Sequence, residues 1–79
     1  KEVDFVVCKG NRVMQMYQVA YDLTSAKTRK REIDSLVQAS SVTKCKELFL
    51  ITDCERETVQ LGEDVVQIIP AYEWLLQPY

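Results

Sequence analysis

Two strand-length apolar runs joined by a glycine turn stand at the front of this chain, and they leave it few folds to adopt. Glu2 to Cys8 reads as a strand, with Val3, Phe5 and Val7 on one face and Asp4, Val6 and Cys8 on the other. Lys9-Gly10-Asn11 has hairpin chemistry, because glycine and asparagine tolerate the positive φ that tight turns require. Arg12 to Leu23 reads as a second, longer strand, with Tyr17, Val19 and Tyr21 on one face and Met14, Met16, Gln18 and Ala20 on the other. So short a connection makes the pair antiparallel. Both faces of the first run are largely apolar, which predicts a sheet covered on both sides.

The period then changes. Thr24 or Ser25 can cap a helix by accepting a hydrogen bond from a free N–H of its first turn. The spacing predicts a helix to about Ser41, with Ala26, Ile33, Leu36, Val37 and Ser40 as its inward stripe. Glu47 to Thr52 is short and almost wholly apolar, as expected of a strand at a sheet centre. Strand, helix, strand implies a parallel crossover. Glu57 to Leu61 and Val65 to Ile69 flank Gly62-Glu63-Asp64 and read as a hairpin. Pro70 suits the start of a helix over Ala71 to Leu76, whose Trp74, Leu75 and Leu76 are expected on the sheet. The fold class is α/β: a small mixed β-sheet with one main crossover helix and a short C-terminal helix.

At 79 residues this is a single domain over 1–79 with one small core. An apolar content of 47% with two glycines and two prolines argues against disorder. The net charge of −2 supplies no general attraction for nucleic acid. Cys8, Cys45 and Cys54 show no paired spacing and there is no histidine, so neither a disulfide framework nor a structural zinc site is expected. Each cysteine is expected as a small, half-buried apolar residue, and a reducing cytoplasm as the setting. No run is long enough to span a membrane. Tyr17, Tyr21, Phe49, Tyr72 and Trp74 are expected in the core, and Asp53, Glu55 and Glu57 as a charged turn. Without a glycine-rich phosphate loop this stretch is no ATPase by itself.

The chemistry-bearing pattern lies in the first two strands. Residues i and i+2 of a strand project from one face, so a Glu-x-Lys pair sets a metal ligand beside a cation. With an acid from the adjacent strand, such a pair holds Mg²⁺ through hard oxygens and activates water. Here Asp4 is the first acid, Gln18 stands where the Glu belongs, and Ala20 stands where the Lys belongs.

Three stretches carry a family resemblance: Glu2-Val3-Asp4-Phe5-Val6-Val7, the Lys9-Gly10-Asn11-Arg12 turn, and Gln18-Val19-Ala20-Tyr21-Asp22-Leu23. It continues through Lys27 to Ile33 and Ile68 to Leu76. The chain resembles the PD-(D/E)XK, or restriction-endonuclease-like, superfamily. More closely, it resembles the C-terminal domain of unknown function that follows the AAA ATPase module in many bacterial and archaeal ATPases. The resemblance implies a truncated restriction-endonuclease-like core, a C-terminal fragment of a longer chain, and ATP bound only in the missing N-terminal region. It also implies vestigial catalytic positions at Asp4, Gln18 and Ala20, with Asp4 as the remaining metal ligand and Mg²⁺ held weakly.

The expected role is therefore a non-catalytic accessory domain, cytoplasmic and not membrane-bound, that contacts nucleic acid or a protein partner besides the ATPase module of its own chain. Lys27, Arg29, Lys30 and Arg31 are the expected contact residues, because cations at a helix start oppose the helix dipole and so call for a function. Two alternatives remain open. One is a divalent-metal nuclease whose catalytic lysine has moved to Lys27 or Lys30; the other is a structural or oligomerisation module.

Overall fold

The computed structural model describes residues 3–76. In chain order the elements are β1 (Phe5–Lys9), β2 (Arg12–Val19), α1 (Ala26–Thr43), β3 (Leu48–Thr52), β4 (Glu57–Leu61), β5 (Asp64–Pro70) and α2 (Ala71–Leu75). The sheet runs β1-β2-β3-β5-β4. Its centre, β2-β3-β5, is parallel, and each flank is an antiparallel hairpin. This is the small mixed α/β sheet expected, with one main helix and a short C-terminal one.

The β2–α1–β3 crossover lays α1 on one sheet face. Met16, Leu48, Leu50, Val66 and Ile68 of the sheet and Ile33 and Leu36 of α1 form the larger core cluster. The other face carries a smaller cluster of Tyr17, Ile51 and Ile69, with Phe5, Phe49 and Trp74 packed against it. There Phe5, Tyr17 and Phe49 stand side by side across three strands, with ring centroids 5.1 and 4.9 Å apart. Trp74 from α2 tilts over Phe5 and Tyr17.

Local chemistry accounts for the element ends. Both hairpins turn through a two-residue loop whose glycine has positive φ, Gly10 at 61° and Gly62 at 62°. Ser25 caps α1 by accepting the Thr28 N–H at 3.3 Å. The helix ends later than Ser41, where Lys44 adopts a left-handed conformation and returns its N–H to the Ser40 carbonyl at 2.8 Å.

Several expectations are corrected. The first strand begins at Phe5, and Glu2 lies outside the described residues. The second ends at Val19 rather than Leu23. The Asp22 carboxylate accepts the Thr24 N–H at 2.9 Å, which turns the chain toward α1 and holds that carboxyl below its ordinary pKa. The Tyr21 carbonyl accepts from the Asp53 N–H and the Thr52 hydroxyl at 3.0 and 3.1 Å. This fixes the backbone there but sends the ring out: Tyr21 is 73% exposed, and Tyr72 is 59% exposed.

A five-residue α2 can turn only Ala71 and Trp74, three apart, onto the sheet, so Leu75 and Leu76 are exposed rather than packed. On α1, Ala26 is exposed, whereas Glu32 and Ser35 join the buried side. Only Cys45 is a buried cysteine; Cys8 and Cys54 are exposed. Nor is the sheet covered throughout. Apart from Trp74 over Phe5, the helices leave β1 bare, and Val6 and Val7 are 46% and 38% exposed.

Leu50 sits in the central strand with its side chain fully enclosed. Leu50→Ala is expected to cost about 2–5 kcal/mol, through lost burial and the cavity left behind. Urea titration should show a lowered midpoint with an unchanged slope. Val42→Ala, on the exposed side of α1, should stay within about 0.5 kcal/mol of the parent.

Candidate functional site

Gln18 and Ala20 occupy alternate positions on the α1-covered side of the sheet, as strand geometry requires. Both are buried, Gln18 completely. Full burial obliges the amide to find partners on both its ends, and it does. Its Oε1 accepts the Asp4 backbone N–H at 3.0 Å, and its Nε2 donates to Glu32 Oε1 at 2.7 Å. Asp4 is exposed, and its Oδ2 accepts the Val19 N–H at 2.8 Å. The Asp4 carboxylate thereby takes the place of a strand carbonyl where β1 has not yet begun. Ala20 is an apolar member of the larger cluster.

Glu32 is the residue that sequence reasoning missed. An acid next to the basic stretch suits a solvated counter-charge, yet Glu32 is 6% exposed. Its helical spacing could have shown this, since Glu32 lies one turn before Leu36 on the buried side of α1. The Arg31 guanidinium stands 3.6 Å from Glu32 Oε2. Asp4, Gln18 and Glu32 thus form a continuous polar chain from the sheet edge into the core. Among the described residues no group of three or more Asp, Glu, Cys or His side chains could hold a metal ion. Asp4, expected as the first metal ligand, instead gives its carboxylate to the Val19 N–H.

The basic stretch divides. Arg29 turns toward β4, with one nitrogen 2.6 Å from Glu57 and the other 3.9 Å from Glu55. Of the three acids read as a charged turn, Glu55 and Glu57 are therefore partners of α1, and Glu57 lies in β4, while Asp53 stays local to the turn. Lys30 pairs with Asp34 one turn on, at 2.6 Å. Lys27, Lys30 and Arg31 line a shallow, open depression on the outer side of α1 together with Asp34, Gln38 and Ser41. This surface is mixed in charge rather than uniformly basic. No helix among the described residues is long and apolar enough to cross a membrane.

At the end of β3, Asp53 Oδ1 accepts the Cys54 N–H at 2.7 Å. The same carboxylate, hydrogen-bonded to the thiol and repelling its charged form, pushes the Cys54 pKa up, with a smaller push from Glu55. A thiol so placed is a poor nucleophile at neutral pH.

No protein-family profile, no curated protein and no solved structure matches the chain.

The Gln18–Glu32 bond has measurable consequences. Gln18→Ala removes the donor to a buried carboxylate and is expected to cost about 1–3 kcal/mol. Combining it with Glu32→Ala should cost less than the sum of the two single changes, because each removes the same bond. Gln18→Glu sets a second carboxyl against Glu32, and burial with like charge raises carboxyl pKa values in the folded state. A raised acid pKa makes stability greatest below the unfolded value, so this variant should lose stability, relative to the parent, as pH rises above about 4.3. Urea midpoints at acid and neutral pH check the sign. At Cys54, Asp53→Asn should move the pH profile of iodoacetamide labelling to lower pH, measured with Cys8 replaced by serine.

Proposed function

We infer that this domain is a non-catalytic accessory module of a larger AAA-type ATPase chain, and that it contacts a protein partner through the outer side of α1. The observation that carries the non-catalytic part is the state of Gln18. Where a metal-dependent nuclease needs a carboxylate, this chain has a neutral amide committed at both ends to Asp4 and Glu32. Ala20, where a catalytic lysine is needed, supplies only a methyl group to the core. The resemblance of the sequence to the ATPase-linked domain supports the larger setting.

A protein partner suits the α1 surface better than nucleic acid does. Phosphate recognition needs several cations free to displace counterions. Here Arg29 is held by Glu57, Lys30 is answered by Asp34, and Gln38 and Ser41 add neutral hydrogen-bonding groups. Such a mixed surface fits the polar rim of a protein interface.

One observation favours the second reading, a metal nuclease with a migrated lysine: Glu32 brings another carboxylate beside Gln18. The lysines on offer counter it. Lys27 and Lys30 line the outer side of α1, whereas Glu32 is buried on its inner side.

Incubation with single- and double-stranded DNA and Mn²⁺ tests the proposal, with Asp4→Asn as the control. The expected result is no cleavage by either protein. Cleavage that disappears in Asp4→Asn would overturn the non-catalytic reading. Retention of the intact DNA that is lost in the Lys27→Glu, Lys30→Glu double variant would replace the protein partner with nucleic acid.

A further inference from the structure

The two edges of the sheet are built differently. The β4 edge is polar: Glu57 is tied to Arg29, Thr58 donates to Gln67 at 2.9 Å, and Gln60 is exposed. Charges and polar side chains of this kind discourage another strand from pairing. The β1 edge, Phe5-Val6-Val7-Cys8-Lys9, has no charge before its last residue, and its valines are substantially exposed. Bulges also blunt edges. The hairpin has one, between Val7 and Cys8, but its extra residue is Met14 on β2, since Val7 pairs with Gln15 and Cys8 with Val13. The outer line of β1 is therefore uninterrupted.

The direction of its backbone groups follows from β2. The N–H groups of Met16 and Ala20 point to β3, bonding Glu47 and Ile51 at 3.0 and 2.9 Å. Residues alternate, so Gln15, Tyr17 and Val19 point to β1, as the Val19 bond to Asp4 shows. Their partners Phe5 and Val7 point back to β2. Val6 and Cys8 are left with N–H and C=O directed outward from the sheet.

We propose that β1 is a self-association edge, at which a second copy of this chain adds its own β1 in antiparallel register about a two-fold axis at Val7. A two-fold interface must match itself, and this edge does. With Val7 on the axis, Val6 of each copy exchanges backbone bonds with Cys8 of the other, which satisfies the outward groups. Val7 meets Val7 in the closely spaced, non-hydrogen-bonded position. Phe5 falls opposite Lys9, so the only charge in the strand meets an aromatic ring instead of its like. The neighbouring register, centred on Val6, would need the Asp4 N–H, and that group is already given to Gln18. This surface is separate from the outer side of α1, and the proposal stands or falls independently of the function inferred above.

Sedimentation velocity across micromolar to millimolar concentration reads the association, and disulfide trapping reads the register. The weight-average mass is expected to rise toward that of two chains. Val6→Pro deletes an outward N–H without touching the β1–β2 ladder, so it should keep the circular dichroism spectrum of the parent and remain a monomer. With Cys8 and Cys54 replaced by serine, Val7→Cys should form a disulfide-linked dimer under mild oxidation and Val6→Cys should not. A parent that stays monomeric at millimolar concentration, a folded Val6→Pro that still dimerises, or trapping through Val6→Cys in preference to Val7→Cys would each overturn the proposal.

Discussion

The parallel pairing of β3 on both its sides is the constraint on which the rest of the molecule depends. Leu48–Thr52 bonds to β2 on one side and β5 on the other, so its backbone is satisfied without water. Its side chains then go into two separate apolar layers. Leu48 and Leu50 enter the α1 cluster, and Phe49 and Ile51 enter the aromatic layer under Trp74. A domain this short buries a modest fraction of its surface, and these five residues reach both of its core clusters. The two antiparallel hairpins are additions to either flank of that centre.

Burying Glu32 beside this centre imposes a second constraint. A carboxylate out of water needs a donor close by, and Gln18 supplies one from the adjacent strand. An amide at position 18 can donate to Glu32 and accept from Asp4 at once; a carboxylate there would face Glu32 with like charge. The same chain of bonds explains why β1 begins at Phe5. The Asp4 carboxylate takes the Val19 N–H, the next β2 donor facing β1, so the backbone ladder starts only at Phe5. The feature that makes the sequence look like a degenerate metal site is thus also a working part of the fold.

What the sequence made legible was whatever local pattern decides. The glycine turns, the helix cap and the apolar run of β3 each rest on neighbouring residues; the cap falls on Ser25, one of the two residues expected, and the strand starts one residue later, at Leu48. What it concealed depends on how far an element reaches. Tyr21 and Tyr72 have the composition of core residues, but one lies past the end of β2 and the other on the outer side of a helix too short to cover them. Val6 and Val7 alternate like any strand, and only the order β1-β2-β3-β5-β4 reveals them as an edge. At the site, Asp4, Gln18 and Ala20 were visible as a motif. Helical spacing could show that Glu32 is buried, but not its bond to Gln18, because that partner lies fourteen residues away on another element.

The two open surfaces differ in the physics they can use. On the outer side of α1, any contact made by Lys27, Lys30 and Arg31 is a contact between solvated charges, weakened by salt and already reduced by Asp34. At β1 the available groups are backbone N–H and C=O and the faces of Val7 and Phe5, on which salt has little hold. Recognition at the first surface would rest on charge pattern, and at the second on backbone pairing. The partner contact proposed for α1 and the self-association proposed for β1 therefore use different atoms and do not compete. Between them lies the Asp4–Gln18–Glu32 chain, which links the start of β1 to the inner side of α1. Glu32 is thus one point at which the helix holds the hairpin, beside the Thr43 hydroxyl on the Met16 sulfur and the packing of Ile33 and Leu36 against Met16.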